Sequence, residues 1–424
     1  MPLGSNLFYD FFVPDTCFQN KLTRRDFLKV TALGIAGLGA GKAPAQSPAS
    51  SRLAITMWDF SWLTRRVPPE DEYQNWDMVL DELAERGYNC VRIDAFPHLI
   101  ARDKNGRISE EFEILPQPKS FPWGAHQPVK VKPREALLEF IQKCRERKIK
   151  LGLSSWFNDD TTHRRKEIKS PQDYARIWSE TLELLEKNHL LEQIVWVDLC
   201  NEFPLSVWAP GAYQEITRAT RLPPLPGFYT KKQKQYLGEF FQSAILPLKK
   251  RWSKIKFCFS FCGSELFDLT EIDLASFDLI EAHIWLAQSI SFNLLTGHYL
   301  TLLHLSPGYY LERALAPRTY QGFESYWKKW LEQRMKNWAL LSKKKNLALF
   351  TSEGWGPINY RDSSSAQDSK EWNWVKEVCA FAVEKAIELG WKGICTSNFT
   401  APQFPGIWQD KKWHQTLTRT ILSA

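Results

Sequence analysis

The sequence lacks the patterns that mark several large classes of protein. No glycine-rich phosphate-binding loop follows its first predicted strand, and its Cys and His residues form no cluster with the spacing of a zinc site. Basic residues are interspersed with acidic ones despite a formal net charge of +7, so no basic stripe indicates a nucleic-acid partner. The eight cysteines show no disulfide-framework spacing, and most are expected to pack in the core. No cofactor and no metal are therefore predicted.

Aromatic residues, by contrast, are abundant. The 424 residues include 19 Trp, 26 Phe and 13 Tyr, which together make up 14% of the chain. Hydrophobic residues account for 44% and charged residues for 24%, a composition typical of a soluble globular protein with a sizeable core. Most of the rings are expected to pack in that core, and a minority to stack on the flat apolar faces of sugar rings.

The first 46 residues have the pattern of a bacterial twin-arginine (Tat) signal peptide. Arg24 and Arg25 precede an apolar run over residues 30–41, and the small-residue cleavage pattern Ala43-Pro44-Ala45 follows. A run of this length is too short to span a bilayer, which requires about 20 residues. The sequence thus predicts recognition by the Tat export machinery, a periplasmic or extracellular location, no stable membrane anchor, and one catalytic domain over residues 47–424.

After the predicted signal peptide, short β-rich runs alternate with longer helical ones. Each β-rich run is almost continuously apolar, as expected for parallel strands that are covered on both faces. Eight βα units predict a (β/α)8 barrel, and an open doubly wound sheet is the alternative. Three long connections, over residues 97–132, 203–226 and 286–319, follow strand ends and are expected on the catalytic face. The predicted strands cover residues 53–60, 89–96, 149–156, 194–200, 256–261, 277–285, 347–352 and 393–398.

Two glutamates stand where buried strands end. Glu202 follows the fourth predicted strand, and Glu353 follows the seventh. A carboxylate is costly to bury unless something uses it. In a barrel these two positions converge across the mouth, and two facing carboxylates are what glycoside hydrolysis requires, one as proton donor and the other as nucleophile or base. An ion pair within the fold is the structural alternative for either side chain.

With these residues in their strands, the chain resembles the cellulase-like glycoside hydrolases of clan A, near glycoside hydrolase family 5. The resemblance extends over almost all of the chain beyond the leader. It implies that Glu202 is the acid/base and Glu353 the nucleophile of a retaining mechanism. The pKa of Glu202 is then expected to be raised and that of Glu353 depressed.

Further residues match the same family. The resemblance implies that Arg92, on the second strand, holds the nucleophile ionised, although pairing with Asp94 or Asp198 is an alternative. Asn201 is implied to bind the sugar 2-hydroxyl. His283 resembles the histidine of the sixth strand, and Trp285 stands where the family more often has a tyrosine. Asp198 shares the strand parity of Glu202 and is expected to point into the barrel.

Several tryptophans at strand ends are candidate platforms for sugar rings. The predicted platforms are Trp285, Trp355 and Trp408, with Trp156, at the end of the third strand, as a further substrate-binding residue. The substrate predicted from the whole pattern is a β-linked oligo- or polysaccharide. Two alternatives remain open: a transglycosylase, and a catalytically silent carbohydrate-binding protein on the same barrel.

Overall fold

The computed structural model describes residues 52–119, 121–361 and 369–424. The predicted signal peptide lies outside these residues, so its assignment remains a prediction. In the part of the chain described, no helix combines the length and the apolar character needed to cross a membrane. The seven cysteines of this part are free, and six of them are buried, which confirms the expected core packing.

Eight parallel strands form the predicted barrel. Each follows its predicted range closely: seven strands stop one to three residues short of the predicted end, and β5 contains an interruption. The strands are β1 (Leu53–Asp59), β2 (Cys90–Asp94), β3 (Lys150–Ser154), β4 (Ile194–Asp198), β5 (Lys256–Cys258 and Ser260–Phe261), β6 (Leu279–Ala282), β7 (Ala348–Thr351) and β8 (Gly393–Cys395).

The interruption of β5 closes the ring. Its first half, Lys256–Cys258, pairs with β4, and its second half, Ser260–Phe261, pairs with β6. Between them the hydrogen-bonded order runs through β3, β2, β1, β8 and β7. All of these pairs are parallel, so the carboxyl ends of the eight strands meet at one face of the barrel, where the open alternative sheet would have left two unpaired edges.

Large side chains fill the lower barrel interior. Trp196 on β4 meets Phe350 on β7 with a centroid separation of 5.5 Å, although these strands are not neighbours. Gly152 on β3 leaves room for the indole, because a Cβ built there would lie 2.1 Å from the Trp196 ring. Side chains alternate along a strand, so Asp198, two residues after Trp196, also points inward.

Helices surround the barrel where the helical periodicity predicts them. Ser170 and Asp173 form a capping box at the start of the third helix. Only the short 3-10 turns Ser264–Leu266 and Asp268–Thr270 link β5 to β6. The helices are α1 (Trp76–Glu85), α2 (Pro133–Glu146), α3 (Pro171–Lys187), α4 (Lys231–Arg251), α5 (Glu324–Lys345), α6 (Asn373–Glu388) and α7 (Lys411–Ser423).

The three long connections leave the carboxyl ends of β2, β4 and β6, as expected, but they are not plain loops. The β2 loop (residues 97–132) holds the helix Pro97–Ile100 and a hairpin of Phe112–Ile114 with Val129–Val131. The connection after β4 holds the helix Pro210–Thr220. The β6 insert (residues 286–322) is largely helical, with the helices Ile290–Thr296, His298–Leu302 and Ser306–Gly322. Short helices Ser61–Thr64 and Pro405–Trp408 follow β1 and β8.

Candidate active site

The two glutamates face each other at the mouth of the barrel. Glu202 lies four residues beyond β4, where its backbone adopts a left-handed conformation with φ of 45°, and Glu353 lies two residues beyond β7. One oxygen of each carboxylate and a ring nitrogen of His283 all lie within 4.8 Å of one another. The structure therefore brings together three residues that the sequence placed on three different strands.

A buried arginine organises the floor beneath them. Arg92 on β2 is fully buried, and its Nη1 donates to Oε1 of Glu353 over 2.6 Å. Its Nη2 lies 2.7 Å from Oδ2 of Asp198 and 2.7 Å from Oδ1 of Asn201. The guanidinium also stacks on Trp156, at 4.4 Å from the ring centroid. One cation thus bridges two carboxylates and fixes the orientation of the Asn201 amide. Of the two aspartates considered as alternative partners, Asp198 contacts Arg92 and Asp94 does not.

His283 lies on the other side of the pair. Its ring is fully buried, and Nδ1 is 3.0 Å from Oε1 of Glu202 and 3.7 Å from Oε2 of Glu353. Burial lowers the pKa of His283 to about 4, against the opposing effect of Glu353, so the imidazole is neutral at pH 7. A neutral ring can hydrogen-bond to Glu202 without holding that carboxyl ionised.

Glu202 has the environment of a proton donor. Its side chain is 16% exposed, and burial raises its pKa to about 7. The Trp208 indole, whose Nε1 lies 3.4 Å from Oε2, and the more distant Arg92 only partly offset that rise. The expected upward shift is confirmed in direction, and it has the usual cause for a carboxylic acid that keeps its proton near neutral pH.

Glu353 does not have the depressed pKa expected from the sequence. Burial raises its pKa above the ordinary value, although His283 and Arg92 act in the opposite direction. Desolvation outweighs the cation because the Glu353 side chain is only 9% exposed and Arg92 is shared with Asp198. The two glutamates still differ, since Glu353 alone is in direct contact with a guanidinium.

A pocket of about 560 Å³ opens above these groups, within the size range of small-molecule sites. Asn201, Glu202 and Glu353 lie at its floor, and the predicted residues Trp156 and Trp285 line its walls. Sequence reasoning missed several other lining residues: Asp59, Gln117, Phe121, Trp123, Asn293, His304 and Asn359. Most of these come from the connections after β2, β6 and β7, and the only available signal was the unusual length of the first two.

Two of the predicted sugar platforms are wrong. Trp355 is fully buried, donates from Nε1 to the carbonyl of Cys395 over 2.8 Å, and packs against Trp391. Trp408 is 4% exposed and donates to Glu82 over 2.6 Å, with the Arg86 guanidinium over its ring. Neither side chain lines the pocket, so neither is available to stack on a sugar.

Glu202, His283 and Glu353 form the one group of described residues whose spacing could hold a metal ion. Arg92, 2.6 Å from Glu353, already supplies a positive charge at this point. A divalent cation bound to Glu353 would therefore be repelled by the guanidinium. This charge arrangement favours carboxylate chemistry over metal binding at the site.

Comparison with known proteins agrees with this geometry. A family model described as sugar-binding cellulase-like matches residues 55–422. A structure from Parabacteroides distasonis, described as a candidate glycoside hydrolase, is 34% identical over 88% of this chain and 94% of its own, with a TM-score of 0.78. More distant likenesses, both with TM-scores of 0.47, are cellulose synthase subunit Z from Clostridioides difficile and an endo-β-1,4-mannanase from Thermotoga petrophila.

The subunit Z match is 13% identical and covers 81% of this chain and 91% of the other. The mannanase match is 11% identical and covers 88% and 77%. At these values the two likenesses carry no weight for the site. No protein of curated function matches the sequence.

The buried pairs of Arg92 lead to a stability prediction. Arg92→Met should lower the free energy of unfolding by about 3–5 kcal/mol, because Asp198 and Glu353 would remain buried without their cation. The matched control is Arg102→Met, whose side chain is 56% exposed beside Glu180 and whose loss should cost about 0–1 kcal/mol. Denaturant unfolding of both variants tests this, and equal losses would show that the Arg92 pairs contribute no more than a surface pair.

Proposed function

Because the chain belongs to the sugar-binding cellulase-like family, we propose that it is a retaining glycosidase that hydrolyses a β-linked oligo- or polysaccharide. The observation that carries the proposal is the approach of Glu202 and Glu353 to within 4.8 Å at the floor of one pocket. Retaining glycosidases place their carboxyl groups roughly 5–5.5 Å apart, whereas inverting ones leave roughly 6.5–9.5 Å for a water molecule. The 4.8 Å limit, which refers to one oxygen of each carboxylate, is closer to the first range and supports retention.

In the first step Glu353 is the nucleophile. Its Oε1 is held by Arg92, and its Oε2 is free to attack the anomeric carbon. Glu202, in its protonated form, gives its proton to the glycosidic oxygen as the bond from that oxygen to the anomeric carbon breaks. The leaving sugar departs as an alcohol, and an ester between Glu353 and the remaining sugar is formed.

In the second step Glu202 acts as a base instead of an acid, and water is the nucleophile. Glu202, now a carboxylate, takes a proton from a water molecule that attacks the anomeric carbon. The ester bond breaks, Glu353 returns as a carboxylate beside Arg92, and Glu202 regains its proton. Two displacements at one carbon give the product the configuration of the substrate.

Arg92 decides which glutamate holds the proton at rest. Burial raises the pKa of both carboxyls, so the pair favours one shared proton over two negative charges. The guanidinium contacts Glu353 directly, whereas Glu202 faces the neutral His283 and the Trp208 indole. The anion therefore resides on Glu353 and the proton on Glu202.

Asn201 and the aromatic walls would bind the sugar. Oδ1 of Asn201 accepts a hydrogen bond from Arg92, which leaves Nδ2 of the same amide as the donor for a sugar hydroxyl next to the anomeric carbon. Trp156 and Trp285 line the pocket and offer apolar ring faces. A second candidate function is sugar binding without hydrolysis. Trp285 favours it, because an indole in place of a phenol supplies no hydroxyl to orient Glu353.

Replacement of Glu353 tests the proposed nucleophile. Glu353→Ala should abolish hydrolysis of aryl β-glycosides, and azide should restore turnover by forming the α-glycosyl azide, because the small anion enters the space left by the carboxylate. The matched variant Glu202→Ala should give the β-glycosyl azide instead, since its nucleophile is intact. NMR of the products distinguishes the two anomers. No rescue of either variant, or the same anomer from both, would contradict the assignment.

The pKa of Glu202 leads to a pH prediction. For a substrate with a poor leaving group, kcat/KM should fall as the pH rises through about 7, because only protonated Glu202 can assist departure. A dinitrophenyl β-glycoside needs no proton and should show no such decline, which makes it the control in the same enzyme. Glu202→Gln should slow the first substrate by about 10²–10⁴-fold. Identical pH profiles for the two substrates would exclude Glu202 as the acid.

A further inference from the structure

Two connections from opposite sides of the barrel meet above the pocket. Phe121 of the β2 loop packs edge-on against His304 of the β6 insert, with ring centroids 5.9 Å apart. Arg361, which follows β7, donates from Nη2 to the carbonyl of Lys119 over 3.1 Å and lies over the ring of Tyr309. We call these five residues the roof.

The roof covers one side of the pocket. Phe121 and His304 both line the cavity, so their contact lies over it. Since β2 and β6 are on opposite sides of the ring and Arg361 follows β7, the roof extends over the side formed by β7, β8, β1 and β2. On the β4 side the lining residue Val207 is 46% exposed, so the pocket reaches solvent there.

Beneath the roof, Asp59 has a buried carboxyl oxygen without a partner, and burial raises the pKa of this carboxyl to about 8. It ends β1, lines the pocket and is 1% exposed, with a left-handed backbone at φ of 38°. Its Oδ1 accepts from the amide and the hydroxyl of Ser61 over 2.7 and 2.8 Å. Its Oδ2 is buried and has no hydrogen-bond partner within the described structure.

Asn359, after β7, adds a second buried oxygen without a partner on the roofed side. It lines the pocket, and its Oδ1 is also buried without a partner. A buried polar oxygen without a partner costs roughly 1–3 kcal/mol, so two of them facing one cavity favour a ligand with hydroxyl groups, which can both donate and accept hydrogen bonds.

The orientation of the substrate follows from the proposed function, on which this inference rests. The leaving sugar must lie beside its proton donor, Glu202, which is on the open β4 side. The sugar that stays attached to Glu353 then extends toward β1 and the roof, with its ring positions 3 and 4 farthest from the anomeric carbon.

We propose that the roof closes the glycone end of the pocket, so that the protein removes single sugars from the non-reducing ends of chains, and that Asp59 binds the 3- or 4-hydroxyl of that terminal sugar. A chain continuing beyond this sugar would run into Phe121 and His304. On the Glu202 side the remainder of the chain leaves through the open mouth. Asp59 is therefore a specificity-determining residue and takes no part in bond cleavage.

Cleavage patterns test the closed end directly. β-1,4-linked gluco- and manno-oligosaccharides labelled at the reducing end should lose one sugar at a time, so that the first labelled product is one unit shorter. The double variant Phe121→Ala/His304→Ala should gain internal cleavage, whereas Phe323→Ala, an exposed ring at 60% and no part of the pocket lining, should behave as wild type. Early internal fragments from the wild-type protein would overturn the inference.

Deoxy substrates test the role of Asp59. Asp59→Ala should lower kcat/KM for nitrophenyl β-glycosides by about 10–100-fold. In the wild-type protein, removal of the 3- or the 4-hydroxyl from the substrate should lower kcat/KM by a similar factor. In Asp59→Ala the same deoxy substrate should cause no further decrease in kcat/KM. Ser61→Ala removes a partner of Oδ1 and leaves Oδ2 in place, so it should retain the wild-type response to both analogues. If Asp59→Ala and the deoxy substrate each lower kcat/KM, and their factors multiply when the two are combined, Asp59 acts only through the fold.

Binding separates failure of this inference from failure of the proposed hydrolysis. Tryptophan fluorescence should report binding of methyl β-glycosides, weakened by Asp59→Ala and by 4-O-methylation of the sugar. If no glycoside is hydrolysed but binding is weakened by both changes, the closed end is supported and the proposed hydrolysis is wrong. If chains are cut internally, the hydrolysis stands and the closed end falls. If no sugar is bound or cleaved, both are wrong.

Discussion

The site depends on one buried cation. Arg92 lies inside the barrel, 2.6–2.7 Å from carboxylates that arrive from β4 and β7, and no other described side chain bridges Asp198 and Glu353. Its loss would leave two buried carboxylates without their cation, and the solvation lost on burial is far larger than any surface ion pair returns. The same guanidinium orients Asn201 and stacks on Trp156, so one cation contacts the floor of the site, the proposed nucleophile Glu353 and an aromatic wall.

The position of Arg92 also makes the two glutamates different from each other. A hydrophobic, aromatic surrounding raises the pKa of both carboxyls, which would otherwise make them equivalent. What distinguishes them is contact with charge: Glu353 touches a cation, and Glu202 touches a neutral imidazole and an indole. The asymmetry that the proposed acid and nucleophile require would therefore come from the placement of Arg92, because strong desolvation makes contact with a cation decisive.

Sequence reasoning predicted positions correctly where a residue stands at or just beyond the end of a strand. Apolar runs located all eight strands, and the residues beside them located Arg92, Asn201, Glu202, His283 and Glu353, because parallel strands in a closed barrel bring their carboxyl ends together. It failed for Trp355 and Trp408, since the position of a residue after a strand does not fix the direction of its side chain. The shift at Glu353 was missed because burial is a property of the assembled site. Asp59 and the roof depend on how long connections fold back, which no local pattern encodes.

The most direct test of the account is to trap the sugar on the protein. A dinitrophenyl 2-deoxy-2-fluoro-β-glycoside forms the ester quickly and releases it slowly, because the fluorine destabilises the positively charged transition state of the second step. With the gluco or manno form, the account predicts a mass increase of one fluoro-sugar, located by peptide sequencing at Glu353. A label on any other residue, or inverted products from the parent glycoside without a trapped ester, would contradict it.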